Sequence, residues 1–372
     1  MKRLAPDPIA IDPVTLEPIA LDQATLAWLL DPADPALRAR VLVELLDRSP
    51  DDAAVIEARQ AIPTQPFVRA HLDAWTSGRV LALGPYQKYR GATWTLAFLA
   101  EMGLPASHAV AREGVAYLLR EARPARRLRG GDVARLLDSD PVYWLYPIAC
   151  LTARLVGVLS RFGHPDHPVT RGARATLVHL YQPGRGFDCG VLDRSLLPGC
   201  IMTLPEALKA LLTIPDGERT DAEQHIIEDA VRVLQAIELY RYVPVERRTF
   251  AEAARDLTVG EARARKAEWM AQGRLAGRTE KASWLRFRFP HGYNPDLLEV
   301  LCVLAAAATP RSPTIDRGLA LVLSKRTRTG RWGQTGGLNG KMWGDRGERG
   351  PDDPWITFRA LTVLKAYGLL RA

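Results

Sequence analysis

The sequence predicts an all-α fold built from paired helices, on three observations. Leu- and Ala-rich stretches carry apolar residues at three- and four-residue spacing, and runs of alternating β-branched residues are nearly absent. The 29 glycines and 27 prolines fall mostly between those stretches, where they end helices. With 372 residues, 47% hydrophobic and 25% charged, the chain suits one large or two modest globular domains. At that length it needs neither disulfide nor metal to hold a core.

The first elements occupy an N-terminal helical segment, 1–78, where Leu26, Leu29 and Leu30 begin the apolar pattern. Asp34-Pro35 reads as an N-cap with proline at the first helical position, opening a helix over 36–46, and Asp51-Asp52 opens another that reaches residue 62. From Tyr86, within the segment 79–372, helices recur in pairs: 94–103 with 107–121, 141–163 with 168–182, 200–214 with 221–239, and 297–308 with 313–326. A last helix, 355–368, closes the chain without a partner. First helices end in similar phrases, Phe98-Leu-Ala-Glu-Met-Gly-Leu-Pro105, Val158-Leu-Ser-Arg-Phe-Gly-His-Pro165 and Val363-Leu-Lys-Ala-Tyr-Gly-Leu369. A repeat of about 50–60 residues with two helices cannot bury both faces alone and must stack on its neighbours. A charged insert at about 241–283 interrupts the spacing. It reads as one amphipathic helix with Trp269 and Met270 on a sparse apolar face, either a docking arm or lid or a solvated span.

Composition narrows the function classes. Four widely spaced cysteines argue against a secreted disulfide framework, and the start Met1-Lys2-Arg3 lacks an apolar leader core. No apolar run approaches a membrane span. A cytoplasmic, reduced protein is expected. The net charge of +8 favours anionic partners, although the excess is spread along the chain.

The hairpin ends carry a further mark, Arg326-Thr-Arg-Thr-Gly330-Arg-Trp332 and Gln182-Pro-Gly-Arg-Gly186-Phe187. Glycine takes the left-handed conformation after a helix, and the following ring covers the next helix end. This resembles the Gln-x-x-x-Gly-x-Trp repeat of squalene–hopene cyclases. With the helix-pair period, the chain from about Tyr86 onward resembles the α/α toroid shared by terpenoid cyclases and protein prenyltransferase β subunits. The resemblance implies inner helices around a central aromatic cavity for an isoprenoid or similar apolar ligand. The N-terminal ends of those helices would bring Lys88, Tyr89, Trp94, Tyr143, Trp144, His291, Tyr293, Trp355 and Arg359 to one mouth.

Two catalytic signatures of that superfamily are altered here. Asp138-Ser139-Asp140-Pro141 resembles the Asp-x-Asp-Asp acid of class II cyclases, with proline in place of the last aspartate. Asp140, beside Asp138, is the candidate acid; alternatively Asp140 or Ser139 caps a helix that starts at Pro141. Gly186-Phe-Asp-Cys189 … Pro198-Gly-Cys200 resembles the zinc-ligand stretch of prenyltransferases. Pro198 stands where that family has aspartate, and Trp355 or Ile356 where it has histidine, so its thiolate chemistry is not carried over. A different zinc set is Cys189, Cys200 and His291, supported by Asp188, or else two buried structural cysteines. No Asp-Asp-x-x-Asp motif appears, so a diphosphate would need a basic pocket, with Lys88, Arg90, Arg286, Arg288, Lys341 and Arg359 as candidates. In Trp284-Leu-Arg-Phe-Arg-Phe-Pro-His291 the period of two suggests an extended segment with one apolar and one cationic side. The glycine-rich stretch 333–350 reads as a mobile loop carrying Lys341 and Trp343. The basic run Arg120–Arg129 lacks interleaved aromatic residues, which makes nucleic acid a weak fit there. The alternative to an isoprenoid-binding toroid is a non-catalytic interaction module that holds a protein or nucleic acid through its basic rim or the insert.

Overall fold

A computed structural model describes residues 16–122, 148–187, 195–197, 199–244, 258, 261, 264–265, 268, 279–338, 340–344 and 350–371. Among them α-helix predominates, and the strands are only two to four residues long, as the periodicity predicted. No helix among the described residues is long and apolar enough to cross a membrane. Two compact units divide the chain. One takes the described residues of Ile11–Leu119, Arg161–Gly163 and Ser283–Ala372, the other those of Arg120–Ser160 and His164–Ala282.

In the unit that holds the described residues of 11–119 and 283–372, aspartates set the helix starts. Asp22 accepts from Thr25 N at 2.7 Å ahead of Gln23–Leu29, Asp34 from Leu37 N at 3.0 Å ahead of Pro35–Arg40, and Asp52 from Ala54 N at 2.9 Å ahead of Ala53–Ala61. The helix expected over 36–46 is Pro35–Arg40 running into a π-helical turn, Val41–Leu45. Pro66–Thr76, Ala92–Glu101 and Ala109–Glu121 follow, then Leu297–Ala306, Pro313–Ser324 and Pro354–Ala366 near the C-terminus.

The last helix is not partnerless. Trp355, Ile356, Phe358, Ala360, Leu361, Val363 and Leu364 are all buried, so it is apolar around most of its circumference and needs cover on more than one side. The N-terminal helices supply it. Trp355 Nε1 donates to Asp34 Oδ2 at 2.7 Å, and Lys365 Nζ donates to the Glu44 and Leu45 carbonyls at 3.1 and 3.0 Å. Ile19–Ala20 pairs in parallel with Leu370–Arg371.

The other unit packs Pro168–Leu180 and Thr203–Leu211 against Asp221–Ala236. Its charged insert is not a single helix. Arg241–Pro244 and Thr279–Glu280 pair antiparallel, and Arg241–Pro244 also pairs with Ser195–Leu197, so the two ends of the insert are strands. Residues 261, 264–265 and 268 between them are helical. Trp269 and Met270 lie outside the described residues.

The repeat-end glycines behave as expected. Gly330 has φ +80° and Gly186 φ +89°. Trp332 and Phe187, two and one residues on, are fully buried. Trp332 Nε1 donates to Val322 O at 2.7 Å at the end of Pro313–Ser324, and its backbone N donates to Thr357 Oγ1 at 3.0 Å at the start of Pro354–Ala366. One tryptophan therefore joins two helix ends, one through its ring and one through its backbone.

Candidate functional site

In the unit that holds the described residues of 11–119 and 283–372, seven of the nine expected ligand-binding residues fall into two groups, Lys88, Tyr89, Trp94 and Tyr293 in one and His291, Trp355 and Arg359 in the other. Ahead of Ala92–Glu101 the chain makes a tight turn in which Tyr89 takes φ +69°, an uncommon conformation for a residue with a side chain. Its ring rests on the backbone of Gly292, where any Cβ would come within 2.8 Å of it. Trp94 lies 5.2 Å from Tyr89 and 6.4 Å from Tyr293 between ring centroids. Lys88 Nζ stands 4.0 Å over the Tyr293 ring and 5.2 Å from Tyr89, and Lys341 Nζ is 5.9 Å from Tyr89. These are cation–π distances.

The described residues of the loop that carries Lys341 are tied to Arg90. Trp343 Nε1 donates to Arg90 O at 2.8 Å, and Arg90 Nη2 donates to Gly340 O at 2.6 Å. Two glycines of this stretch serve close approach. A Cβ on Gly333 would meet Pro351 O at 2.5 Å, and one on Gly344 would meet the Phe67 ring at 2.7 Å. Arg79 and Arg90 both face the Trp343 ring, at 5.1 and 5.4 Å.

Beside this platform lies a buried charged cluster. Trp355 stacks on Phe289, with centroids 4.1 Å apart and planes 5° apart. One turn on, Arg359 is 4% exposed, pairs with Glu299, and reaches Glu101 at 3.7 Å. His291 is 5% exposed, with Nε2 3.2 Å from Asp296 Oδ1 and Nδ1 3.3 Å from Glu299 Oε2. Asp296 is fully buried and caps Leu297–Ala306, accepting from Glu299 N and Arg288 N at 2.9 Å each. Arg40 pairs with Glu44 at 2.6 Å and covers Phe358 at 5.0 Å. Burial pulls the His291 imidazole below its ordinary range, against the opposing pull of Asp296. Burial also lowers Arg359, while Glu101 acts to restore it. A cleft of about 230 Å³, lined by Arg40, Glu44, Arg59 and Glu101 among smaller apolar residues, leads to this cluster.

The segment 285–289 is an apolar connector. Phe287 and Phe289 are 1% exposed, but Arg288 is buried as well, so the cationic side expected of the alternation is not a continuous exposed edge. Arg288 Nη2 donates to Ser283 O at 2.8 Å, and Phe287 O accepts from Thr335 and Gly336 N.

Asp138, Asp140, Tyr143, Trp144 and Cys189 lie outside the described residues. Cys200 is buried just before Thr203–Leu211, and its carbonyl accepts from Thr203 N at 3.2 Å. The metal-ligating groups gathered around His291 are Glu101 and Glu299, within 4.8 Å of one another. Glu101, Glu299 and Arg40 were not anticipated. The available signal was a lone carboxylate inside the apolar run Leu297-Leu-Glu299-Val-Leu, since such a group is buried only when partnered.

No protein-family profile matches the chain, and no curated protein matches it in sequence.

Proposed function

We propose that this is a terpenoid-cyclase-like or prenyltransferase-like helical protein that binds an isoprenoid or similar apolar ligand carrying an anionic end. The observation that carries the reading is the convergence of Lys88 and Lys341 on the rings of Tyr89 and Tyr293, with Trp94 behind them. Aromatic faces suit polarisable alkenes, and two ammonium groups suit a phosphate-bearing head. Buried Trp355, Phe289 and Phe358 extend the apolar surround inward.

Isothermal titration with farnesyl diphosphate, farnesol and inorganic diphosphate tests this. Lys88→Ala with Lys341→Ala should weaken farnesyl diphosphate at least tenfold and leave farnesol unchanged. Absence of binding by all three probes would sink the reading.

One observation favours the alternative interaction module. Arg79 and Arg90 flank the partly exposed Trp343, the pairing of guanidinium and ring on which single-stranded nucleic acid stacks. That reading requires a short single-stranded RNA to bind with a steep salt dependence that is lost in Trp343→Ala.

A further inference from the structure

We propose that Glu101, His291 and Glu299 form a divalent-metal site of the zinc class, for which the Arg359 guanidinium is the built-in competitor. The three side chains come from Ala92–Glu101, from the connector at 284–296 and from Leu297–Ala306, and their ligand atoms all lie within 4.8 Å of one another. A tetrahedral ion with donors at about 2.0–2.1 Å separates them by roughly 3.3 Å. His291 Nδ1 and Glu299 Oε2 stand 3.3 Å apart.

The histidine points independently to a cation. It is 5% exposed, it is aimed between carboxylates, and neither of its ring nitrogens makes a well-aligned hydrogen bond. Asp296 Oδ1 lies 3.2 Å from Nε2, near enough to accept from it once the ring turns into line, which would leave Nδ1 for a metal. The carboxylates of Glu44, Glu101, Asp296 and Glu299 share this buried cluster with the guanidiniums of Arg40 and Arg359. A route in exists because Glu101 lines the cleft shared with Arg40 and Glu44. Arg359 lies against Glu299 and 3.7 Å from Glu101, so metal and guanidinium exclude each other on these oxygens. Imidazole with two carboxylates suits Zn²⁺, Co²⁺ or Mn²⁺ better than Ca²⁺.

The test uses the full chain, stripped with chelator and titrated with ZnCl₂ by calorimetry and with CoCl₂ by visible absorption. One equivalent should bind. Glu299→Gln and His291→Asn should each weaken binding by roughly a hundredfold, whereas Arg359→Gln should tighten it. Glu101→Gln guards against misfolding, since Glu101 sits at the cleft with its side chain 14% exposed; with native circular dichroism it should weaken binding as well. No binding by the wild-type chain overturns the proposal. So does unchanged affinity in folded Glu101→Gln, or a thiolate-to-cobalt charge-transfer band, which would assign the metal to cysteine. Binding of farnesyl diphosphate does not bear on these outcomes.

Discussion

His71 is fully buried between two phenylalanines, with ring centroids 4.2 Å from Phe98 and 5.3 Å from Phe67. Nδ1 lies 2.9 Å from the Phe67 carbonyl. A carbonyl only accepts, so Nδ1 carries a proton, and burial favours the neutral ring over the imidazolium. Burial pushes its pKa from 6.5 down to about 4. The unfolded chain therefore binds a proton between about pH 6.5 and 4 that the folded chain does not. Stability falls as pH drops through that window and levels off below it, by roughly 3 kcal/mol from this one group. His71→Asn keeps a donor at the δ position and cannot titrate, so it should flatten the profile. Urea midpoints from pH 4 to 7 read this directly, and equal pH slopes in the two proteins would refute it. The Arg174–Glu223 pair behaves differently. Arg174 Nε and Nη2 both donate to the Glu223 carboxylate at 2.7 Å. Burial alone would raise Glu223, but Arg174 holds it below the usual carboxylate range. Arg174→Leu leaves that carboxylate buried without its cation, at a cost of about 3–5 kcal/mol. The double change Arg174→Leu with Glu223→Leu should recover much of the loss, and thermal melts of the three variants compare them.

Elements were readable from sequence where their causes are local. Asp34, Asp296, Asp353 and Ser312 each accept from the backbone N three residues on, so cap and helix start lie within four letters. The Gly330–Trp332 phrase is equally local, because a left-handed glycine and the ring beyond it define one junction. Gly330→Ala should cost about 1 kcal/mol, since φ +80° is poor for alanine, while its Cβ would meet only the movable end of Arg326. Trp332→Ala should cost about 3–5 kcal/mol by emptying a fully buried site. Chemical denaturation orders the two, and the reverse order would contradict the role given to the ring. What sequence could not supply was pairing at a distance. The strands at the ends of the insert are too short for a period of two to show, and they form because Arg241–Pro244 meets Thr279–Glu280 some 35–40 residues on and Ser195–Leu197 on its other edge. Aromatic and cationic candidates at the Tyr89–Tyr293 platform were readable as residue types near helix starts. The carboxylates Glu101 and Glu299 that face Arg359 and His291 were not, because nothing in either helix names the other.

At the scale of the molecule, one unit is closed by residues from opposite ends of the chain, and Asp34 is where they meet. Its carboxylate accepts from Leu37 N at 3.0 Å and Gln65 Nε2 at 2.8 Å through Oδ1, and from Trp355 Nε1 at 2.7 Å through Oδ2. Trp355 is 321 residues away and fully buried. Its helix also carries Arg359, so the anchor that seats Trp355 fixes the height of the guanidinium beside Glu101 and Glu299. Contacts of such separation form late, after most of the loop entropy has been spent. Removing the carboxylate takes away a helix cap and leaves a buried indole N–H unsatisfied, so Asp34→Ala should cost about 3 kcal/mol. Asp34→Asn retains an acceptor and should lose less. Hydrogen exchange followed by mass spectrometry locates the effect. In Asp34→Ala, peptides covering 354–366 should exchange about a hundredfold faster, together with those covering 35–45. Faster exchange confined to 35–45 would show that the two ends of the chain are stabilised independently, and Asp34 would then be only a cap.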